Sequence, residues 1–237
     1  MNITVICDNE PYKEGLETSW GFSCLVTGLE KNILFDTGPG RSLLGNMEKL
    51  GIEPKMVEII FLSHIHDDHS GGLISFLEKN SDVAVYLPES FPDKFKSEVR
   101  SFGAKVVEVE KSIAVCEDVC STGQVKGWQK EQSLIIRTDK GLIVITGCAH
   151  PGIVKMIETA KDLRENDILL LMGGFHLEWA TKGKIEKIIS TFKKMGVRYV
   201  GPSHCTGEKA VALFEKYYGE NHIKTGAGKV ITIADLS

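Results

Sequence analysis

The chain has 237 residues, enough for one large domain, and its composition gives no sign of a linker or a tail. Its 42% hydrophobic and 25% charged residues are typical of a globular protein, and a formal net charge of −4 argues against general binding to nucleic acid or to an anionic membrane. Residues 1–8 lack the basic flank and long apolar core of a signal peptide, and no apolar run has the length of a membrane span. We therefore expect one cytoplasmic domain over residues 1–237 that acts on a small molecule.

The first half of the chain predicts strands followed by strand–helix alternation. The runs 22–27 and 32–35 flank Gly28 as a hairpin. Leu43, Leu44, Met47 and Leu50 recur at helical spacing before Gly51. The predicted strands are 3–7, 22–27, 32–35, 57–62, 83–87, 105–109, 113–115 and 119–121, and the predicted helices are 39–50, 69–79 and 92–102.

The second half repeats this organisation without repeating the sequence. It predicts a hairpin of strands 134–138 and 142–146, strands 168–172 and 199–200, helices 153–163, 185–195 and 209–217, and two final strands around 226–228. Strands that meander and then alternate with helices favour two sheets packed face to face with helices outside, because each apolar face must be covered. The predicted fold is therefore α/β, a four-layer αββα sandwich, with its site at one rim of the sheets.

The stretch 61–72 is rich in metal-binding side chains directly after an apolar run. His64 and His66 are two residues apart, so that in extended chain they point the same way and can bind one ion. Asp68 and His69 follow a bend and could hold a second ion. Imidazole and carboxylate suit zinc, with manganese, iron or cobalt as alternatives. A helix N-terminus capped by Asp67 with solvated histidines is the structural alternative, which three histidines in six residues disfavour.

Three further histidines follow apolar strands in loops that contain glycine. His150 follows strand 142–146, His176 follows strand 168–172, and His204 follows strand 199–200. For any one of them a structural role is more common, but their shared placement favours a common site, since open α/β sheets bind ligands beyond the carboxyl ends of their strands. His222 lacks this context and is interpreted as a surface or packing residue.

The pattern His64-x-His66-x-Asp68-His69 resembles the signature of the metallo-β-lactamase superfamily. Phe35-Asp-Thr-Gly38, His150 and His204 lie where its other motifs are expected. The resemblance implies the αββα fold, a one- or two-metal site, and Asp36 as a residue that orients a ligand or water by hydrogen bonds. It implies His64, His66 and His150 as ligands of the first metal and Asp68, His69 and His204 as ligands of the second. The loops around His150, His176 and His204 resemble the branch of dihydropterin-methyl ribofuranosylaminobenzene phosphate synthases and metal-dependent hydrolases.

The chain departs from the superfamily at the bridging Asp that two-metal members carry after the strand equivalent to 168–172. That position reads Met172-Gly-Gly-Phe-His176. Two divalent ions would then be less neutralised, which predicts an anionic substrate such as a phosphate or carboxylate ester. His176 is interpreted as an extra ligand or a substrate-facing acid or oxyanion donor, with a loop hydrogen bond as the alternative.

The sequence favours a metal-dependent hydrolase in which Asp68 positions or deprotonates a metal-activated water. A transferase like the synthase branch, and a non-catalytic metal-binding or signalling protein, are the alternatives. A redox di-iron centre would want Glu where His66 stands. Trp179, three residues after His176, is the best placed tryptophan for a pocket, although single tryptophans more often cover the edges of a core. All six cysteines are expected to be free, with Cys205 a buried neutral thiol.

Overall fold

The computed structural model describes residues 1–164 and 166–236, which form two compact units. Unit 1 comprises Met1–Glu110 and Gly226–Asp235, and unit 2 comprises Lys111–Thr225 with Leu236. Each unit is a mixed sheet with helices. The prediction that residues 1–237 form one domain stays a prediction.

Unit 1 contains a sheet whose strands run in the order β13-β1-β2-β3-β4-β5-β6. The strands are β1 (Asn2–Cys7), β2 (Ser23–Thr27), β3 (Ile33–Phe35), β4 (Ile59–Phe61), β5 (Ala84–Pro88), β6 (Lys105–Val109) and β13 (Val230–Thr232). The helices are α1 (Arg41–Leu50), α2 (Asp67–Ser70), α3 (Leu73–Leu77) and α4 (Asp93–Ser101). Pairing is antiparallel from β13 to β3 and parallel from β3 to β6.

The core of unit 1 joins the apolar faces of its helices to the sheet. Leu43 and Met47 of α1 are one turn apart, and both are buried against strand residues such as Leu34 and Ile60. Burying a side chain of this size stabilises the fold by about 1.5–3 kcal/mol. Helix packing of this kind holds the carboxyl ends of β3 and β4, from which the first group of site residues extends.

Unit 2 contains a sheet of the order β12-β11-β10-β9-β8-β7. The strands are β7 (Ala114–Cys116), β8 (Val119–Ser121), β9 (Leu134–Thr138), β10 (Gly141–Thr146), β11 (Ile168–Gly174) and β12 (Val197–Ser203). The helices are α5 (Ile153–Leu163), α6 (Lys182–Lys194) and α7 (Glu208–Tyr218). Pairing is antiparallel from β7 to β10 and parallel from β10 to β12.

The core of unit 2, like that of unit 1, joins helices to the sheet. Phe175, just after β11, makes edge-to-face contacts with Phe192 of α6 and Phe214 of α7, at ring-centroid distances of 5.9 and 5.5 Å. Ring pairs of this geometry add about 0.5–1.5 kcal/mol beyond the area that they bury. The aromatic cluster therefore fixes the backbone immediately before His176.

Both predicted hairpins are confirmed, since β2 pairs with β3 and β9 with β10 in antiparallel register. The predicted helix 69–79 is wrong, because the chain forms α2 and α3 with a break at Gly71 and Gly72. The two final strands are also wrong: among the described residues, β13 follows Gly228, whereas the chain before Gly226 makes a single bridge from His222 to Val200. Observed boundaries otherwise differ from the predicted ones by up to three residues, and the largest extension is that of β12.

None of the helices in the described part of the chain combines the length and apolarity needed to cross a bilayer. In both units the parallel strands end in the loops that carry the candidate ligands. Asp36 follows β3, His64 and His66 follow β4, and His150 follows β10.

Candidate metal centre

In unit 1 a fully buried carboxylate, Asp36, organises the loop after β4. Its Oδ1 accepts a hydrogen bond from the Ser63 backbone N–H at 2.7 Å. Its Oδ2 accepts from Ser63 Oγ at 2.8 Å and contacts His69 Nδ1 at 2.7 Å. Burial raises the pKa of Asp36 from its ordinary value, while His69 and the Ser63 bonds act in the opposite direction. Asp36 adopts a left-handed backbone (φ 52°), which turns its side chain back under the loop.

This network fixes the tautomers of two histidines. His69 Nδ1 donates to the carboxylate, so its Nε2 carries the lone pair. Ser63 has one hydroxyl proton, which it gives to Asp36, so its Oγ accepts from His64 Nδ1 at 2.9 Å. His64 Nε2 is therefore also a lone-pair nitrogen. Metal-binding histidines need this arrangement, in which the second ring nitrogen is held by a hydrogen bond.

The donor spacings in unit 1 fit divalent metal ligation. Two ligands about 2.1 Å from one tetrahedral ion are about 3.4 Å apart. His64 Nε2 and His66 Nδ1 are separated by 3.1 Å, and His69 Nε2 and Asp68 Oδ2 by 3.6 Å. The two pairs match the division into first-metal and second-metal ligands that the superfamily resemblance implies.

Close backbone packing holds this loop in place. Thr37 donates from its backbone N and its Oγ1 to the His69 carbonyl, at 2.7 and 3.0 Å. A Cβ at Gly72 would lie 2.2 Å from the Thr37 carbonyl oxygen, so any larger residue would push the two segments apart. This approach explains why the predicted helix is broken at the glycine pair.

In unit 2 the corresponding carboxylate is Glu131, which is also fully buried. Its Oε1 accepts from the backbone N–H groups of Cys148 and Ala149, at 2.9 and 2.8 Å. Its Oε2 accepts from the His150 backbone N–H at 2.9 Å and contacts His150 Nδ1 at 2.9 Å. As in unit 1, the carboxylate holds Nδ1 of a candidate ligand and leaves Nε2 for an ion.

His176 and His204 adopt the same unusual backbone as Asp36, with φ of 52° and 50°. The His176 ring is exposed and lies 4.7 Å from the His150 ring, measured between centroids. A hydrogen bond with Cys205 raises the pKa of His176, and partial burial acts against this. His204 begins a turn of 3-10 helix after β12, where Thr206 Oγ1 donates to the Ser203 carbonyl at 2.7 Å.

Two cysteines lie among these imidazoles. Cys148 Sγ, Cys205 Sγ and a ring nitrogen of His176 are all within 4.8 Å of one another, and Cys148 Sγ is within 4.8 Å of a His204 ring nitrogen. Both sulfurs are buried, at 3% and 4% residue exposure. His222, by contrast, is half-buried in a separate place, where burial lowers its pKa.

A tryptophan covers one side of His150. Trp128 is 70% exposed, and its ring meets that of His150 edge-to-face at a centroid distance of 4.6 Å. It lies 6.2 Å from the His176 ring. In the loop that carries Trp128, the backbone N–H groups of Val125 and Glu131 each donate to the other residue's carbonyl oxygen, at 2.8 and 3.3 Å. Trp179, the best placed of the tryptophans by sequence, is 91% exposed.

Sequence reasoning missed Glu131 and Cys148, and it ranked Trp128 below Trp179. Glu131 belongs to no motif, and its one signal is its position in a polar stretch directly before an apolar strand. Cys148 lies inside a recognised motif, two residues before His150, but was read as an ordinary free thiol.

The model of the Metallo-beta-lactamase superfamily matches residues 21–162, more than half of the chain. The chain belongs to the metallo-β-lactamase superfamily. The structure agrees: it superposes on Tm1679, a metal-dependent hydrolase of the beta-lactamase superfamily, with a TM-score of 0.84 and 30% identity over 98% of each chain. It also shares the fold of the short form of human tRNase Z, with a TM-score of 0.61 and 15% identity over 98% of this chain and 99% of that one.

The chain is also similar in sequence to a curated protein over nearly its whole length. The chain is 29% identical to the 7,8-dihydropterin-6-methyl-4-(beta-D-ribofuranosyl)-aminobenzene-5'-phosphate synthase of Methanocaldococcus jannaschii, covering 96% of this chain and 95% of that protein. The superfamily resemblance and the metallo-β-lactamase fold class predicted from the sequence are therefore confirmed.

Proposed function

We propose that this protein is a metal-dependent hydrolase that cleaves an anionic ester, one that carries a phosphate or a carboxylate. The observation that carries the proposal is the paired orientation of imidazoles by buried carboxylates, His69 by Asp36 and His150 by Glu131. Orienting a ring in this way is costly in buried charge, and it is the arrangement that a metal ligand requires. Family membership and the similarity to Tm1679 support it.

The proposed ligands are those that the resemblance implies: His64, His66 and His150 for one ion, and Asp68, His69 and His204 for the other. Zinc suits this donor set best, and Mn²⁺, Fe²⁺ and Co²⁺ are alternatives. When bound, a divalent metal polarises the ester oxygen and lowers the pKa of water from ~15.7 to ~7.

The chain's own groups would then do the rest of the work. Asp68, whose side chain is one-fifth exposed, keeps one carboxylate oxygen beside His69 Nε2 and has a second with which to orient water and accept its proton. The exposed His176 imidazole can donate a proton or a hydrogen bond to an oxygen of the substrate. Trp128 offers an exposed ring whose centroid is 6.2 Å from that of His176.

Charge supports an anionic substrate. The residues 172–176 contain no carboxylate, so Asp68 is the single acidic group in the proposed ligand set. Two divalent ions would leave a strongly positive site that favours a negatively charged ester oxygen over a neutral one.

The test compares matched esters on the zinc-loaded protein. We expect turnover of 4-nitrophenyl phosphate and bis(4-nitrophenyl) phosphate to exceed that of 4-nitrophenyl acetate, to vanish on dialysis against a chelator, and to return with Zn²⁺ or Mn²⁺. His66→Ala should reduce the rate and the metal content together, while His222→Ala, a histidine outside the site, should change neither. Equal turnover of the neutral ester, or activity that survives chelation, would refute the proposal.

A transferase is the second candidate, favoured by the similarity to the M. jannaschii synthase. A hydrolase consumes one water for each ester cleaved, whereas a transferase moves the same group to an organic acceptor. Reaction in ¹⁸O-labelled water separates the two: label in the released acid supports the hydrolase, and unlabelled product that forms only with an added acceptor supports the transferase.

A further inference from the structure

Three potential metal donors of unit 2 lie around the Cys148 sulfur. Cys148 Sγ is within 4.8 Å of a His204 ring nitrogen, of a His176 ring nitrogen and of Cys205 Sγ. Thiolate sulfur and imidazole nitrogen are the donors that zinc prefers. We propose that Cys148 supplies a thiolate ligand to the divalent ion that His204 binds. This inference rests on the proposed function and adds a sulfur ligand that neither the superfamily resemblance nor the sequence analysis assigned.

A buried carboxylate fixes the backbone at Cys148. Its backbone N–H is held by Glu131 Oε1 at 2.9 Å, the same carboxylate that orients His150. One buried group therefore fixes the candidate imidazole ligand and the candidate sulfur ligand together.

A missing side chain makes room for the sulfurs. A Cβ at Gly174 would lie 2.7 Å from Cys205 Sγ and 3.2 Å from the Cys148 Cα. Gly174 ends β11, and its N–H donates to the Gly147 carbonyl at 3.0 Å. The strand end that lacks the superfamily's bridging Asp is thus the segment packed against both cysteines.

Cys148 is the better of the two candidate sulfur ligands. Cys205 Sγ lies within 4.8 Å of a His176 ring nitrogen and donates to the Cys148 carbonyl oxygen at 3.7 Å. Cys148 Sγ lies within 4.8 Å of a His204 ring nitrogen. The proposal therefore gives the two thiols different roles: Cys148 binds the ion, and Cys205 holds His176.

The charge balance is consistent with the absent Asp. Binding breaks the Cys148 S–H bond, forms a sulfur–metal bond and releases one proton to water, with no oxidant or reductant. A thiolate then contributes the negative charge that a bridging carboxylate would have contributed. With Asp68 it reduces four positive charges to two, which still favours an anionic substrate.

The first test needs no variant and measures X-ray absorption at the zinc edge of the zinc-loaded protein. We expect one sulfur scatterer at about 2.3 Å in addition to nitrogen and oxygen at about 2.0–2.1 Å. A protein that binds zinc and hydrolyses esters but shows no sulfur scatterer would overturn this inference and leave the proposed function standing. A protein that binds no ion would overturn both.

The second test assigns the sulfur with Co²⁺, whose thiolate complexes absorb in the near ultraviolet by charge transfer. Cys148→Ser should abolish the band and weaken Co²⁺ binding by more than about tenfold, the loss that even orienting neighbours of a ligand can cause. Cys205→Ser should keep the band, and Cys116→Ser, on the partly exposed edge strand β7, serves as the matched control. A band that survives in Cys148→Ser, or that disappears in Cys205→Ser, would contradict the assignment.

Discussion

The carboxylates Asp36 and Glu131 perform the same task in the two units by different means. Asp36 binds two side-chain donors, Ser63 Oγ and His69 Nδ1, and one backbone N–H. Glu131 binds three consecutive backbone N–H groups and one imidazole. A side-chain donor is positioned by its own rotamer, whereas a backbone N–H is positioned by the course of the main chain. The carboxylate in unit 1 is therefore tied mainly to the side chains of its neighbours, and that in unit 2 to the folding of its loop.

Glu131→Gln should produce the largest loss of stability. In place of Oε1, the amide NH₂ faces two backbone N–H donors; in place of Oε2, it faces the His150 backbone N–H, and His150 Nδ1 has to lose its proton to accept from it. At least one buried donor is therefore left unsatisfied in either orientation, which costs about 1–3 kcal/mol. Urea unfolding of the metal-free protein measures this. Glu158→Gln, an exposed glutamate on α5, is the control and should be neutral. If Glu131→Gln were as stable as the wild type, Glu131 would not contribute more to folding than Asp36, and the contrast between the two carboxylates would be refuted.

Asp36→Asn should affect metal binding more than folding. The amide can donate to Ser63 Oγ and to His69 Nδ1, but His69 must then carry its proton on Nε2, the nitrogen proposed to bind the ion. We expect zinc affinity to fall about 10–100-fold, measured by competition with a chromophoric chelator. The free energy of unfolding without metal should fall less than in Glu131→Gln. The reverse order of the two stability losses would show that Asp36 is the structural carboxylate.

Trp128→Ala tests whether the exposed ring beside His150 serves the substrate. Its exposure means that truncation should leave the fold intact. Loss of an aromatic contact worth about 0.5–1.5 kcal/mol should raise KM about 2- to 10-fold for an aryl phosphate, with little change in kcat. Trp179→Ala, an even more exposed tryptophan, should leave both constants unchanged. An unchanged KM in Trp128→Ala would show that the ring covers His150 without contacting the substrate.

Glu108→Gln measures the contribution of a partly exposed ion-pair network and should have the smallest effect, because the buried Lys96 keeps its bonds to Asp93 and to the Glu89 carbonyl. Glu108 pairs with Lys96 at 2.8 Å and with Arg100 at 2.6 Å, and its side chain is one-third exposed. We expect a loss of about 0.2–1 kcal/mol at neutral pH. Hydrogen bonds from Lys96 and Arg100 lower the pKa of Glu108, so its contribution is present at neutral pH and is lost as pH falls through that lowered pKa. The difference between variant and wild type should therefore vanish in acid, and a constant difference would contradict this cause.

The sequence predicted the fold well where apolar periodicity and glycine stops are strong. The hairpins and the helix after His150 follow from such signals, and the loops that carry the candidate ligands follow from histidines placed directly after apolar strands. The break at Gly71 and Gly72 could not be placed, because it depends on the approach of Thr37 from another segment. The strand expected before Gly226 failed for a similar reason, since the chain at His222 makes a single bridge to Val200 instead.

The site was predicted only in part. Asp36 belongs to a sequence motif that directly follows its strand. Glu131 is 19 residues from His150, the histidine that it contacts, and no characteristic spacing in the sequence links the two residues. The tautomers of His64 and His69 depend on one hydroxyl proton of Ser63, which no sequence pattern encodes. The sulfur cluster was missed because cysteines are common as small buried residues.

The most direct test of the account is a crystal structure of the zinc-loaded protein with anomalous diffraction at the zinc edge. We predict an anomalous peak within bonding distance of His64 Nε2, His66 Nδ1 and His150 Nε2, and a second beside His69 Nε2, Asp68 and His204. Loaded crystals with no peak at these nitrogens, or with the rings of His64 and His150 binding different ions, would contradict the central claim.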